Sequence, residues 1–229
     1  MNKLALLIAA AALAAPAWSA EYLEPESAAY LPVAEKDADL KEAFGPDVTT
    51  RMIVEPSFQF HYAVMLKQKQ GHSFIVTLKF APDVENVLQR YDEIERMKKE
   101  PPTENAKVAA EYLAAIQKDL PPYPKDAKPD RCEFEIDGDL AEKIVEAFKV
   151  MLTDVRVAPD NLGLDGTFYH FALQEDGKTL EGRVWSPGLS TRPGRLVALG
   201  EMMREHCQSG RDRILAEAGK LIAQQVPAK

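Results

Sequence analysis

The chain reads as an α+β protein of two similar halves, each running helix, β-hairpin, helix, helix, which together form one antiparallel sheet backed by helices. Three observations predict this. Ser57–Phe80 and Gly166–Pro187 each contain two alternating apolar/polar runs joined by a Gly-containing turn. Around them, apolar residues recur at helical spacing. The order of elements also repeats on either side of a Pro/Lys-rich stretch at 121–130.

At the N-terminus, Lys3 gives a short positive start and Leu4–Ala15 an apolar run too short to span a bilayer comfortably. Small residues follow, so residues 1–20 read as a signal peptide cut near Ser19/Ala20 or Ala20/Glu21. No Cys lies near that junction, which speaks against a lipid anchor. The expected location is the periplasm, as a soluble exported protein with no membrane span.

Residues 21–34 are extended and Pro-punctuated, and Glu35–Phe44 is a short helix stopped by Gly45-Pro46. Arg51–Val54 reads as a short strand. In Ser57–Leu66, Phe58, Phe60, Tyr62, Val64 and Leu66 share one face; in His72–Phe80, Phe74, Val76, Leu78 and Phe80 do the same. Lys67–Gly71 is then a polar hairpin loop, which puts His61 next to Thr77. A helix opening at Pro82-Asp83 carries Val84, Val87, Leu88, Tyr91, Ile94 and Met97 on one stripe. Thr103 caps a second, with Val108, Tyr112, Leu113, Ile116 and Leu120 inward.

The expected organisation is an N-terminal half over 21–120, a linker over 121–130 and a C-terminal half over 131–229. The second half opens with a strand through Cys132, Phe134 and Ile136, followed by a helix over Asp139–Thr153. After the turn formers at 161–166 comes the second hairpin, then a helix from about Arg192 to Cys207 and a last one containing Ile214–Ile222. Local matches tie the halves together. Glu42-Ala43-Phe44 answers Glu146-Ala147-Phe148, and Phe60-His61-Tyr62-Ala63 answers Tyr169-His170-Phe171-Ala172.

The most informative segment is the second hairpin. Asp176-Gly177 is a two-residue turn, so Glu175 pairs with Lys178 and the register propagates outward. That sets His170 opposite Arg183, Phe168 opposite Trp185 and Ala172 opposite Glu181, with Tyr169, Phe171, Leu173, Leu180 and Val184 on the core side. Phe168, His170, Arg183, Trp185 and Glu181 form a candidate binding surface, since Trp and Arg anchor many interfaces. His61 joins it as the counterpart from the first hairpin. The same residues would serve equally as packing under covering helices, with Arg183 paired to Glu181.

Cys132 and Cys207 are the only cysteines, and each lies on an apolar stripe. In an oxidising compartment they are expected to form a disulfide, which would constrain the unfolded chain by about 4 kcal/mol on a loop-entropy account. No metal and no cofactor are expected, because no three or four ligands converge by spacing and neither G-x-G-x-x-G nor a phosphate-binding loop occurs. The pattern G-x-S-x-G is also missing, and Ser57, Ser186 and Ser190 have no assignable base. Gly188–Gly194 leads into a helix N-terminus, with Ser190 or Thr191 as its cap.

Loss of residues 1–20 removes one of 28 basic side chains and none of the 36 acidic ones, shifting the formal charge from −8 to −9. Basic clusters are missing, which disfavours nucleic acid as a partner. The expectation is a periplasmic, non-catalytic binding or inhibitor-type protein whose partner is another protein of the cell envelope. An immunity protein against a delivered toxin is one form of it. The alternatives are an envelope hydrolase centred on His170, Asp165 and Arg183, or an accessory subunit of an envelope assembly.

Overall fold

The computed structural model describes residues 22–26, 38–57, 59–99, 106–118, 120–124, 126–157 and 165–209. The expected signal peptide, the Thr103 cap and the last helix lie outside the described residues. Six antiparallel strands form one sheet: β1 Val48–Pro56, β2 Tyr62–Lys69, β3 His72–Lys79, β4 Asp130–Ile136, β5 Thr167–Glu175 and β6 Lys178–Trp185. Their order is β4-β3-β2-β1-β5-β6. Five helices accompany it among the described residues: a 3-10 helix at Ala38–Phe44, then α1 Pro82–Lys99, α2 Ala106–Lys118, α3 Gly138–Leu152 and α4 Arg192–Ser209.

The two faces of the sheet bury different things. On the helix face, Met52, Val54, Tyr62, Val64, Leu66, Ile75, Phe171, Leu173 and Val184 pack under α3 and α4, which supply Ile144, Phe148, Met151, Leu196 and Leu199. On the opposite face a smaller cluster of Ile53, Ala63, Met65, Val76 and Leu78 is covered by Leu40 and Ala43 of the 3-10 helix. Both helices on that face are capped at their starts: Asp137 accepts from Leu140 N at 2.8 Å, and Thr191, one of the two expected caps of α4, accepts through Oγ1 from Gly194 N at 3.1 Å.

The second hairpin forms in the expected register, with Glu175 opposite Lys178, His170 opposite Arg183 and Phe168 opposite Trp185. Asp176 and Gly177 both take positive φ, 51° and 72°, as a primed two-residue turn requires. The first hairpin differs from expectation. Its turn is only Gln70-Gly71, at φ 53° and 85°, so Lys67–Lys69 extend β2 and pair with His72–Phe74. Thr77 therefore faces Val64, and His61 precedes the strand.

Lys67 looked like loop because it is charged, but it is 4% exposed and held by Glu42 at 2.9 Å and Asp47 at 3.0 Å. Neutralising its charge locally is what lets it lie inside a strand. Tyr112, expected inward, is 48% exposed.

The hairpins do not pair with each other. β1 lies between them, bonded to β2 on one side and to β5 on the other. The expectation of a short Arg51–Val54 strand misses that this is a nine-residue strand near the middle of the sheet. β3 and β4 are neighbours, and Lys79 pairs with Asp130, so residues 80–129 leave the sheet and return beside their point of departure. Within that excursion α1 and α2 hold each other, through Arg90 Nη2 donating to Ile116 O at 2.9 Å, and Tyr91 packs edge-on against Tyr123.

Candidate functional site

The β1–β5 pairing builds a charged cluster on the face away from α3 and α4. In register, Ile53 lies beside His170, Glu55 beside Phe168 and Arg51 beside Ala172. β6 adds Arg183, Trp185 and Glu181 from the other side. A further piece comes from the start of the described chain, where Glu24 forms an antiparallel bridge with Arg183. That bridge holds Tyr22–Glu26 against β6 and delivers Glu26 to His170.

His170 is 5% exposed. Its Nδ1 stands 2.7 Å from Glu26 Oε1 and its Nε2 3.2 Å from Glu55 Oε2, so both ring nitrogens face carboxylates. Burial alone would lower the affinity of the imidazole for its proton. The hydrogen bonds to Glu26 and Glu55 and their negative charge outweigh burial and push its pKa up to about 9. The group is therefore an imidazolium at neutral pH, donating from both nitrogens. In that state it bridges two carboxylates rather than accepting a proton.

Arg183 lies with its guanidinium 5.5 Å from the centre of the Phe168 ring and its Nε 3.9 Å from Glu24 Oε2. The expected pairing of Arg183 with Glu181 is not formed in that way: Glu181 accepts from Arg51 Nη2 at 2.7 Å. Side chains on alternate rows of the same face have sorted into different pairs. The Phe168 ring is also tilted over His170 at 5.9 Å. Trp185 is half-buried and lies against the backbone of Gly166, where a Cβ would collide with its indole.

The structure thus brings Phe168, His170, Arg183, Trp185 and Glu181 onto one face. His61, before β2, stands one strand further off, with β1 between β2 and β5. Asp165 is exposed beside Gly166. Two serines are tied to the backbone: Ser57 Oγ donates to Gly166 O at 2.7 Å, and Ser186 Oγ accepts from Thr167 N at 2.9 Å. Ser190 is exposed before the Thr191 cap. Elsewhere, His206 is fully buried with its ring edge-on to Phe134 at 4.1 Å.

Glu26 and Glu55 are the members of the cluster that sequence reasoning missed. They lie 144 and 115 residues from His170. Neither sits in a pattern that marks it, since one is in a Pro-punctuated stretch and the other ends a strand at Pro56. Among the described residues no group of three or more His, Cys, Asp or Glu is arranged to hold a metal ion, and no helix is long and apolar enough to cross a membrane. Comparison with family models, curated proteins and solved structures finds no match.

Proposed function

We propose that this chain is a soluble periplasmic protein that acts by binding another protein of the cell envelope, in an inhibitor-type role of which immunity against a delivered toxin is one concrete form. The observation that carries the binding reading over the hydrolase reading is the state of His170. Its two nitrogens are engaged by Glu26 and Glu55 and its proton is held to about pH 9, so it is poorly suited to act as a general base near neutrality. What the cluster offers a partner is its half-buried rim, Phe168 and Trp185, and, beyond the His170–Arg183 pair on the same face, the exposed Glu181.

Trp185→Ala is expected to lower capture of the partner from an envelope extract at least tenfold while the protein stays folded by circular dichroism. Glu181→Gln, which removes only a charge, separates lost contact from lost packing. Capture unchanged in both variants would remove this surface from consideration. Sequencing of the mature N-terminus, expected at Ala20 or Glu21, tests the export reading.

The same reading takes Cys132 and Cys207 as a disulfide. In support, α4 lies over β4 at this point: Phe134, two residues from Cys132, meets the ring of His206, the neighbour of Cys207. No free cysteine is found among the described residues, although the side chain of Cys207 lies outside them. Non-reducing peptide mapping is expected to recover Cys132 and Cys207 in one linked species. Recovery of two alkylated thiols without reductant would exclude the bridge.

We also take residues 21–120 and 131–229 as duplicated halves joined by 121–130. Each contributes a hairpin closed by a two-residue turn ending in Gly, at Gln70-Gly71 and Asp176-Gly177. Each hairpin is followed by a helix.

A further inference from the structure

Tyr22–Glu26, Y-L-E-P-E, lies along β6 in the way a docked peptide would, and four of its five residues use separate features of the groove. The ring of Tyr22 lies 3.6 Å from the guanidinium carbon of Arg156. Leu23 is fully buried, and it fits because position 182 is glycine: a Cβ there would stand 3.1 Å from Leu23 Cβ and 3.1 Å from Val155 Cγ2. Glu24 exchanges both backbone hydrogen bonds with Arg183 at 2.7 Å, and Leu23 O accepts from Arg156 N at 2.8 Å. Pro25 is exposed, and Glu26 reaches His170.

We infer that the outer side of β6 is a strand-addition site for an extended acidic peptide of the form aromatic–apolar–acid–x–acid, and that Tyr22–Glu26 fills it in cis. Strand addition draws affinity from main-chain bonds and specificity from pockets for alternate side chains. Both are present here: the Glu24–Arg183 bridge supplies the main-chain bonds, while Leu23 goes to the helix face and Glu24 and Glu26 to the other. The charges fit the same occupant. Arg156, Arg183 and protonated His170 face the segment; the acidic groups behind them are Glu55, on the far side of the His170 ring, and Asp154, which accepts from Arg156 Nε at 2.8 Å. The segment holds β6 by one bridge, whereas β5 pairs with β6 over eight residues, so a longer strand has more to gain on the same edge.

This inference rests on the binding reading and narrows it to the chemistry of the partner. The test uses the full chain and a labelled Tyr-Leu-Glu-Pro-Glu peptide, blocked at both ends. In wild type the tethered segment competes at millimolar effective concentration, so the peptide binds weakly. The Leu23→Asp variant, with its own segment unseated, is expected to bind it at least tenfold more tightly. Adding H170Q is expected to remove most of that gain, as is changing the last Glu of the peptide to Lys.

Equal binding to wild type and to the Leu23→Asp variant overturns the inference, as does indifference to the Lys peptide. Because Leu23 belongs to the core, amide exchange in the wild type supplies a second reading. The Glu24 amide is expected to exchange at least a hundredfold faster than that of Phe171; equal protection makes the segment a permanent strand and overturns the inference. A wild-type chain that dimerises by exchanging the segment makes a second copy the occupant, and also overturns it. Peptide that does not bind while Trp185→Ala still loses the envelope partner removes this inference and leaves the binding reading standing.

Discussion

Raising the pH from 6.5 to 9 is expected to remove roughly 3 kcal/mol of unfolding free energy through His170 alone. The imidazole holds its proton to about pH 9 in the folded chain, against an ordinary value of 6.5. Between those values the folded state binds more protons than the unfolded state, so stability falls as pH rises. Below 6.5 the contribution is fully present. Solvent screening does little to reduce it, because the His170 side chain is 6% exposed and both carboxylates 14%. Urea unfolding of wild type and H170Q across this window measures the effect. H170Q is expected to lose stability at pH 6.5, where Glu26 and Glu55 would face each other without a cation, and to lose most of the pH slope. The same slope in both proteins would show that the imidazolium is not the group responsible.

Gly194→Ala is expected to cost about 3 kcal/mol, at the upper end of what overpacking imposes. The position lies in the first turn of α4, where Ala would ordinarily gain up to about 1 kcal/mol over Gly in helix propensity. Here the gain is overridden. A Cβ at Gly194 would lie far inside van der Waals contact distance of the Gly188 carbonyl oxygen and 3.0 Å from the Cα of Leu189, both backbone atoms. The Gly188 carbonyl also accepts from Thr191 N at 3.0 Å and Thr191 Oγ1 at 2.7 Å, so the loop cannot move away without loosening the cap. Gly200→Ala is the control: its Cβ would meet only the side chain of Met52, whose thioether end can turn aside. Thermal unfolding of the two variants is expected to separate them clearly. Equal losses would mean that the Gly188–Gly194 approach does not constrain the loop.

How much of this was legible in the sequence follows the range of the interactions. The register of β5 and β6 was readable because Asp176-Gly177 specifies its own turn and every pairing follows from it. The cap of α4 was readable for the same reason, since Thr191 and Gly194 are three residues apart. The first hairpin was misread by three residues because Lys67 looked solvated, and the two acids that neutralise it come from the 3-10 helix and the segment after it. β1 was read short. With Met52, Ile53 and Val54 all buried, the alternation that marks a half-buried strand is lost there. The site was half legible. His170, Arg183 and Phe168 were placed together correctly, but the partners that charge the imidazole arrive through β1–β5 pairing and the bridge to Glu24, which leave no mark in local sequence.

The strand order has a consequence for the order in which the chain can be completed. β1, β2 and β3 are contiguous in sequence and form a meander as soon as they exist, yet they end in the middle of the finished sheet. Until β4 arrives about 50 residues later, β3 is an open edge; until β5 arrives after residue 167, so is β1. A chain that emerges from its N-terminus therefore carries a three-stranded intermediate with both flanks able to pair with a stranger. Both flanks carry an apolar run, Phe74-Ile75-Val76 in β3 and Met52-Ile53-Val54 in β1, and in β1 Arg51 and Glu55 bracket the run with charge. In the finished protein these same two residues face Glu181 and His170, so the charges that guard the nascent edge become the charges that join the last strands to it.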